Sequence, residues 1–261
     1  MKRVRQFAGV FAVVVWMLGC HGKATASDVQ QEHASTAPVQ ESDLRPRISL
    51  TESQPPLSAT IAFTGAASEK LYDTIDQLVH TMQAEAEAAV PLYIDLAAVE
   101  QLKDVSWSAF DGCTTLVGIA LPRNTTKIWY SAFKDCVSLT DIQIPDSVTT
   151  VCGNAFRGCT ALTRIRIPDS VAEVEGGAFE YCTALTDVTL PSAMSKVRGY
   201  TFNGCTALAD LTLPQGITRI EMYAFHNCTA LVSMTIPASV TEIWKFAFKG
   251  CSSLATINYA G

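Results

Sequence analysis

A period of 23 residues governs the sequence from about residue 91 onward. Four residue types, Phe, Cys, Leu and Pro, each recur at this spacing in a column of their own. Two of these columns are Phe110, Phe133, Phe156, Phe179, Phe202, Phe225 and Phe248, and Cys113, Cys136, Cys159, Cys182, Cys205, Cys228 and Cys251. Because a fixed period of this length is the signature of stacked structural repeats, the sequence predicts a solenoid.

Each repeat begins with the alternation of a β-strand. In the unit 136–158, Leu139, Ile142 and Ile144 are predicted to point inward, whereas Asp141 and Gln143 point outward. A proline follows the strand and stops the ladder, because it has no backbone N–H to donate. The two valines after it return to the core from the opposite wall, and a short helical or irregular turn closes the coil.

The repeat skeleton L-x-x-L-x-L-P-x-x-L-x-x-I-x-x-x-A-F-x-x-C-x-x resembles the treponemal-type, or BspA-like, class of leucine-rich repeat. The resemblance covers residues from about 93 to 259. It implies an α/β repeat solenoid, a right-handed superhelix with a parallel sheet on its concave face. It also implies an exported or surface-attached bacterial protein that binds other proteins, since some family members resemble adhesins for host extracellular matrix.

The N-terminus resembles an export signal over residues 1–19. Lys2, Arg3 and Arg5 precede an apolar run that is too short to span a membrane. Cleavage before Cys20 would follow a lipobox-like sequence and leave a thiol for lipid attachment, which predicts a lipoprotein anchored in the bacterial envelope. Cleavage after Ala26 would instead release a secreted or periplasmic protein.

Three further segments are expected. Residues 20–57 carry four prolines and many polar side chains, which predicts a disordered tether. Residues 58–90 are predicted to form a strand-helix cap, and residues 91–261 the leucine-rich-repeat domain. In the cap, a strand near Ile61 precedes a helix that starts at Ser68, and a second strand follows from residue 91, as in a crossover unit.

The charge of the chain argues against two classes of partner. The formal net charge is −6, and cleavage before Cys20 removes three cations and moves it to −9. An acidic exported chain has no electrostatic attraction for nucleic acid or for an anionic membrane surface. We therefore expect no nucleic-acid binding, and membrane contact only through a lipid anchor.

The cysteine column admits three interpretations. A metal site is not expected, because the cysteines are 23 residues apart and no histidine column accompanies them. A disulfide ladder would be strained, since neighbouring strands stand about 4.8 Å apart and bridged Cβ atoms about 3.8 Å. The favoured interpretation is that the thiols are small, soft hydrophobic groups behind the phenylalanines.

Two sets of variable positions are candidate partner-binding sites. On the outward strand face, Asp141, Arg164, Arg166 and Asp187 form an alternating charge ladder, which could bind an ion or carboxylate or simply neutralise itself in solvent. Before each Ala-Phe pair lies a second set, with glycines at its middle. Its aromatic members are Trp107, Trp129, Tyr130, Tyr200, Tyr223, Trp244 and Phe246.

The second set predicts an apolar patch with a shallow floor near Gly176 and Gly177, suited to a protein loop or a hydrophobic ligand. An alternative is that the rings only cover the edges of the solenoid. The last strand places Ile257 and Tyr259 on an edge with no predicted capping element, which predicts weak self-association.

Catalysis has no support in the sequence. The four histidines do not converge with a nucleophile by any spacing, and no phosphate or dinucleotide motif occurs. We expect no enzyme and no cofactor. The sequence thus predicts an exported protein-interaction module; a carrier of a hydrophobic ligand and a structural envelope component are the alternatives.

Overall fold

The computed structural model describes residues 45–51, 58–66, 91–100 and 102–260. These residues form sixteen β-strands and no helix. Consequently, nothing in this part of the chain is a helix long and apolar enough to cross a membrane. The strands are Arg45–Thr51 (β1), Ser58–Ala66 (β2), Leu92–Glu100 (β3), Asp104–Val105 (β4), Leu116–Ala120 (β5), Lys127–Ile128 (β6), Asp141–Ile142 (β7), Thr150–Val151 (β8), Arg164–Arg166 (β9), Glu173–Val174 (β10), Asp187–Thr189 (β11), Lys196–Val197 (β12), Arg219–Ile220 (β13), Ser233–Pro237 (β14), Glu242–Ile243 (β15) and Thr256–Ala260 (β16).

The first wall of the solenoid is a parallel ladder with a register of one repeat. β2, β3, β5 and β7 pair in this order, and β9 with β11 and β14 with β16 pair in the same way further along. Asp187 lies opposite Arg164, for example. The predicted alternation is confirmed, because Ile142 is buried while Asp141 is exposed. We call the outward side of this ladder the β-face.

The second wall is another parallel ladder, made of two-residue strands. β4, β6, β8 and β10 pair in one run, and β12, β13 and β15 in another. The sequence predicts the inward return of Val151 but not that it pairs as a strand. Two residues are too few to show an alternating pattern, so only the stack of coils defines these strands.

The third side carries the Phe and Cys columns. The seven phenylalanine rings stack with centroids 5.1–5.7 Å apart and planes within 10° of parallel. Because the rings occupy equivalent positions in successive coils, they form one continuous stack along this side of the solenoid.

The tether prediction needs a correction at its C-terminal end. Residues 45–51 form β1, which pairs antiparallel with β2. Ile48 and Leu50 alternate with polar residues, and Pro46 is tolerated because this strand has a single neighbour among the described residues. The prolines and polar residues of 20–57 indicate disorder, so this short alternating strand was not predicted.

The described residues include only the strands of the predicted cap. β2 and β3 are adjacent and parallel, as a crossover unit requires, and Ile61, Phe63 and Ile94 on them are buried. The predicted helix that begins at Ser68 lies outside the described residues. The signal segment and Cys20 also lie outside them.

Candidate functional site

A groove lies over the N-terminal half of the β-face. Its volume is about 1270 Å³, and its lining runs from Tyr93 to Thr189. The Tyr93 ring covers Gly118, where an added Cβ would stand 2.8 Å from the ring. Burial and the carboxylates of Asp95 and Asp141 raise the pKa of Tyr93. The phenol therefore stays neutral at physiological pH and forms one end of the groove.

All four charged residues predicted on the strand face lie in this groove. Arg164 contacts Asp141 at 3.6 Å, whereas Arg166 contacts Asp146, in the turn after β7 of the preceding coil, at 3.2 Å. No ion pair joins Asp187 within residues 102–260. These side chains are at least half exposed, so each pair contributes no more than about 1 kcal/mol to stability.

The predicted aromatic set separates into two groups. The N-terminal group, which we call the tryptophan cluster, is Trp107, Trp129 and Tyr130. The Trp107 centroid stands 5.9 Å from that of Trp129 and 4.8 Å from that of Tyr130. Lys127 places its Nζ 3.6 Å from the Trp129 centroid, a cation–π contact, while Trp107 is 64% exposed.

The C-terminal group, which we call the aromatic ladder, is Tyr200, Tyr223 and Phe246. Its rings stack at 4.9 and 5.3 Å. All three residues have φ between 60° and 64°, a left-handed conformation that Ser, Asn or Gly adopt at this position in the other coils. For a bulky residue this conformation costs on the order of 1–3 kcal/mol, and such cost concentrates at functional sites.

Trp244 belongs to neither group. Its Nε1 donates to Glu242 at 2.9 Å, and the guanidinium of Arg219 lies 5.2 Å from its ring centroid. These contacts place it beside the second ladder of strands. The sequence groups Trp244 with Phe246 because the two are close in the chain, but their side chains lie on different sides of the coil.

Glycines lie between the two aromatic groups, where the sequence places the floor of the predicted patch, and the patch itself stays a prediction. Gly153, Gly176 and Gly199 follow one another in adjacent coils. A Cβ on Gly176 would stand 2.8 Å from the carbonyl oxygen of Gly199, and a Cβ on Gly153 would stand 3.2 Å from the Tyr130 ring. The glycines therefore permit close contact between coils and leave a bare strip between the groups.

Glu175 is a site residue that the sequence analysis did not single out. Its Oε2 accepts a hydrogen bond of 3.0 Å from the backbone N–H of Gly153. Its hydrogen bond to the Tyr130 phenol raises the pKa of that phenol to about 12. Glu221 accepts in the same way from Gly199 N–H at 3.0 Å. The recurrence of Glu one position before the glycine column was the available signal.

The cysteine column does more than fill space. From Cys136 onward, each thiol donates to the carbonyl oxygen of the phenylalanine 26 residues earlier, at 3.0–3.1 Å. Burial raises the pKa of Cys136, Cys159, Cys182 and Cys205. No disulfide joins the eight cysteines in this part of the chain, and no cluster of these or other side chains could hold a metal ion.

The residues that directly follow the phenylalanines of the column contact one another from coil to coil through polar side chains. Arg157 pairs with Glu180 at 2.8 Å, and Asn203 donates to the same carboxylate at 2.7 Å. The side-chain oxygen Oδ1 of Asn203 stands 2.9 Å from Nδ1 of His226, which therefore donates to it. The sequence leaves His226 at a variable position, and the structure pairs its ring with Asn203 of the preceding coil.

Comparison with known proteins identifies the family. Residues 94–209 and 173–261 match the BspA-type leucine-rich repeat region in six copies, which is more than half of the chain. The chain belongs to this family. The comparison with curated proteins gives no match.

Solved leucine-rich-repeat structures resemble the described fold. A Treponema pallidum leucine-rich repeat protein is 24% identical with a TM-score of 0.58, and the match covers 80% of this chain and 87% of that one. A Bacteroides ovatus protein is 16% identical with a TM-score of 0.51, covering 86% and 71%. A Eubacterium ventriosum protein is 28% identical with a TM-score of 0.52, covering 65% and 44%.

Proposed function

We propose that this chain is an exported, envelope-associated interaction module that binds a protein partner through its β-face. The observation that carries the proposal is the groove of about 1270 Å³ over the strands, lined by exposed charged and polar side chains. Leucine-rich-repeat proteins commonly act as non-enzymatic binding scaffolds, and membership of this family supports the same class of function.

The repeat leaves the β-face free to specialise. The inward side chains and the backbone hydrogen bonds maintain the solenoid, so they cannot vary without loss of stability. The outward positions have no such constraint, and here they carry both signs of charge within one groove. Exposed charge pairs contribute little to stability but strongly influence the specificity and rate of association.

The size of the groove favours a protein partner. Its lining spans five adjacent strands, from Tyr93 through Gly118, Asp141 and Arg164 to Asp187, which corresponds to about 19 Å at about 4.8 Å per strand. Small-molecule pockets are typically about 300–1,000 Å³ and enclose most of their ligand. This groove is larger and open along its length, as suits an extended segment or a loop of another protein.

A photo-crosslinking residue tests the proposal. We would introduce it into the full chain at Gln143 on the β-face and, as the matched control, at Thr241, which is exposed at the edge of the second ladder. The expected result is one discrete crosslinked protein from Gln143 and none from Thr241. Equal products from both positions, or none from Gln143, would refute partner binding at the β-face.

Export and anchoring complete the proposal. The N-terminal signal and Cys20 support an envelope lipoprotein, and adhesion to host components would require its exposure on the cell surface. Mass spectrometry of the mature N-terminus would show a lipidated Cys20, or a soluble chain cleaved after Ala26. Digestion of the protein by protease on intact cells would support adhesion, whereas protection would support a periplasmic or structural role.

A second candidate function rests on the aromatic ladder. Tyr200 and Phe246 are 44% and 48% exposed, and their left-handed backbone is maintained at a cost in stability. A hydrophobic ligand would cover these rings, and the ladder would then form its binding surface. Native mass spectrometry of the full chain would show a co-purified lipid or other apolar molecule that is lost in Tyr223→Ser but retained in Tyr181→Ser, an exposed tyrosine outside the ladder.

A further inference from the structure

The tryptophan cluster presents an open aromatic face to solvent. Trp107 is largely exposed, and its ring contacts that of Tyr130 at a centroid distance of 4.8 Å. The ammonium group of Lys127 lies over the neighbouring Trp129 ring. Because most of its surface stays in solvent, Trp107 contributes little to the core, and its ring is available to a ligand.

A row of charged side chains lies directly beside this cluster. A Cβ on Gly153 would stand 3.2 Å from the Tyr130 ring, and the Gly153 N–H donates to Glu175 at 3.0 Å. Tyr130 and Glu175 therefore meet at this glycine. One coil further on, Arg198 occupies the position equivalent to that of Glu175, and it pairs with Glu173 of the preceding coil.

The backbone beside this row offers an open hydrogen-bond donor. Where the next coil carries a glutamate, its carboxylate accepts the glycine N–H, as Glu221 does for Gly199 at 3.0 Å. After Gly176 this place is taken by Arg198, which has no acceptor atom, and no described residue accepts from the Gly176 N–H. Within the described part of the chain, only backbone atoms of Gly199 come within 4 Å of a Cβ built on Gly176, so a ligand can approach this donor.

The groups along this surface select the chemistry of the ligand. A purely apolar ligand would remove Lys127, Arg198 and the glutamates from water without replacing their hydrogen bonds. An anion would face the carboxylates of Glu173, Glu175 and Glu221, and a cation would face Lys127 and Arg198. A neutral polyhydroxyl ligand avoids both kinds of repulsion, because each hydroxyl donates and accepts a hydrogen bond.

We propose that this surface binds a neutral oligosaccharide, one ring of which stacks on Trp107. The C–H face of a sugar ring packs on the π face of an aromatic ring, where the quadrupole is negative. Hydroxyls of a following ring bond to Glu175, Arg198 and the Gly176 N–H. The coils of Trp107 and Arg198 are four steps apart, about 19 Å at about 4.8 Å per strand, so the site accommodates several sugar rings.

The site is separate from the groove on the β-face. Glu175 and Arg198 directly follow β10 and β12, which belong to the second ladder of strands. Sugar binding here and protein binding at the β-face are therefore independent, and either can fail without the other.

A glycan array of neutral, sialylated and sulfated oligosaccharides tests the chemistry of the ligand. The labelled full chain should bind neutral glycans and leave the sialylated and sulfated ones unbound. Titration of the unlabelled chain with the neutral glycan that binds best, followed by tryptophan fluorescence, then gives the affinity. Binding to no glycan, or only to sialylated or sulfated glycans, would overturn the proposal.

Three variants and a matched control locate the site. Trp107→Ala and Arg198→Gln should each weaken binding of that glycan at least about tenfold, whereas Trp244→Ala, at an exposed tryptophan outside this surface, should leave it within about twofold. Trp107→Phe retains an aromatic ring, so it should keep most of the affinity but lose most of the fluorescence change. Each variant is checked for native circular dichroism, and Trp107, which is exposed, keeps the test decisive if Arg198→Gln unfolds. Unchanged affinity in Trp107→Ala, or an equal loss in Trp244→Ala, would overturn the proposal.

Discussion

Truncation of Phe179 to alanine measures how much the phenylalanine column stabilises the solenoid. Phe179 is fully buried, and its ring stacks on Phe156 at 5.5 Å and on Phe202 at 5.7 Å. Removing a buried Phe costs about 3–5 kcal/mol, and the two lost ring contacts place this site near the upper end. At about 2–4 °C per kcal/mol for a chain of this size, the melting temperature should fall by about 10 °C or more.

The matched control is Phe248→Ala at the end of the same column. Phe248 is only partly buried, and among the described rings it stacks on Phe225 alone. We expect less than about half of the destabilisation seen at Phe179, because fewer contacts are lost. Urea titration followed by circular dichroism gives both free energies of unfolding. Equal effects at the two positions, or a change near zero at Phe179, would refute the stacking argument.

Three further predictions follow from particular contacts. Gly216→Ser should stabilise the chain by about 1 kcal/mol, measured by urea titration. A Cβ at Gly216 would lie 3.7 Å from the Met194 carbonyl oxygen, and at the same position of other coils the hydroxyls of Ser147, Ser170 and Ser239 donate to the equivalent carbonyl oxygens. Gly216→Ala is the control without the hydroxyl and should be stabilised less. The free energy of unfolding should fall as pH rises from about 9 to about 12. The pKa of the Cys205 thiol is about 12 in the folded chain and 9.0 for the free thiol, so in this range only the unfolded state loses the proton. A flat pH profile would contradict this, and Cys205→Ala should reduce the slope. We also propose weak self-association through the exposed Ile257 and Tyr259, detected as concentration-dependent sedimentation that Ile257→Lys removes; unchanged sedimentation in the variant would count against that edge.

The sequence predicts most of the core because the core is strictly periodic. Phe and Cys at every 23rd residue must stack if the coils are equivalent, and Ile142 inward with Asp141 outward follows from strand alternation alone. Family membership, shown by the match of the repeats, rests on the same columns.

Features that depend on contacts between coils were not predictable. Whether Arg166 reaches Asp187 or Asp146 depends on side-chain directions that the period leaves open, and the structure selects Asp146. The thiol of Cys182 meets the carbonyl of Phe156 across 26 residues, a separation that becomes meaningful only once the rise and offset of the coils are known. The sequence alone therefore predicted packing for the cysteines but not their hydrogen bonds.

The direction of Trp244 within the aromatic set was not predictable for a related reason. The members of the set are close in every repeat, but adjacent residues in a tight turn point to different sides of the coil. Tyr223 and Phe246 share the left-handed position and stack, while Trp244, two residues before Phe246, lies against Arg219. Only the backbone conformation separates these directions.

The affinity of the captured partner for charge-reversed variants tests the central claim most directly. Arg164→Glu changes the β-face, and Arg219→Glu makes the same change on the second ladder, where Arg219 pairs with Glu242 at 2.9 Å. The account predicts that Arg164→Glu weakens binding at least about tenfold, a change of about 1.4 kcal/mol, while Arg219→Glu leaves it within about twofold. Equal affinities for both variants, or a loss confined to Arg219→Glu, would contradict binding at the β-face.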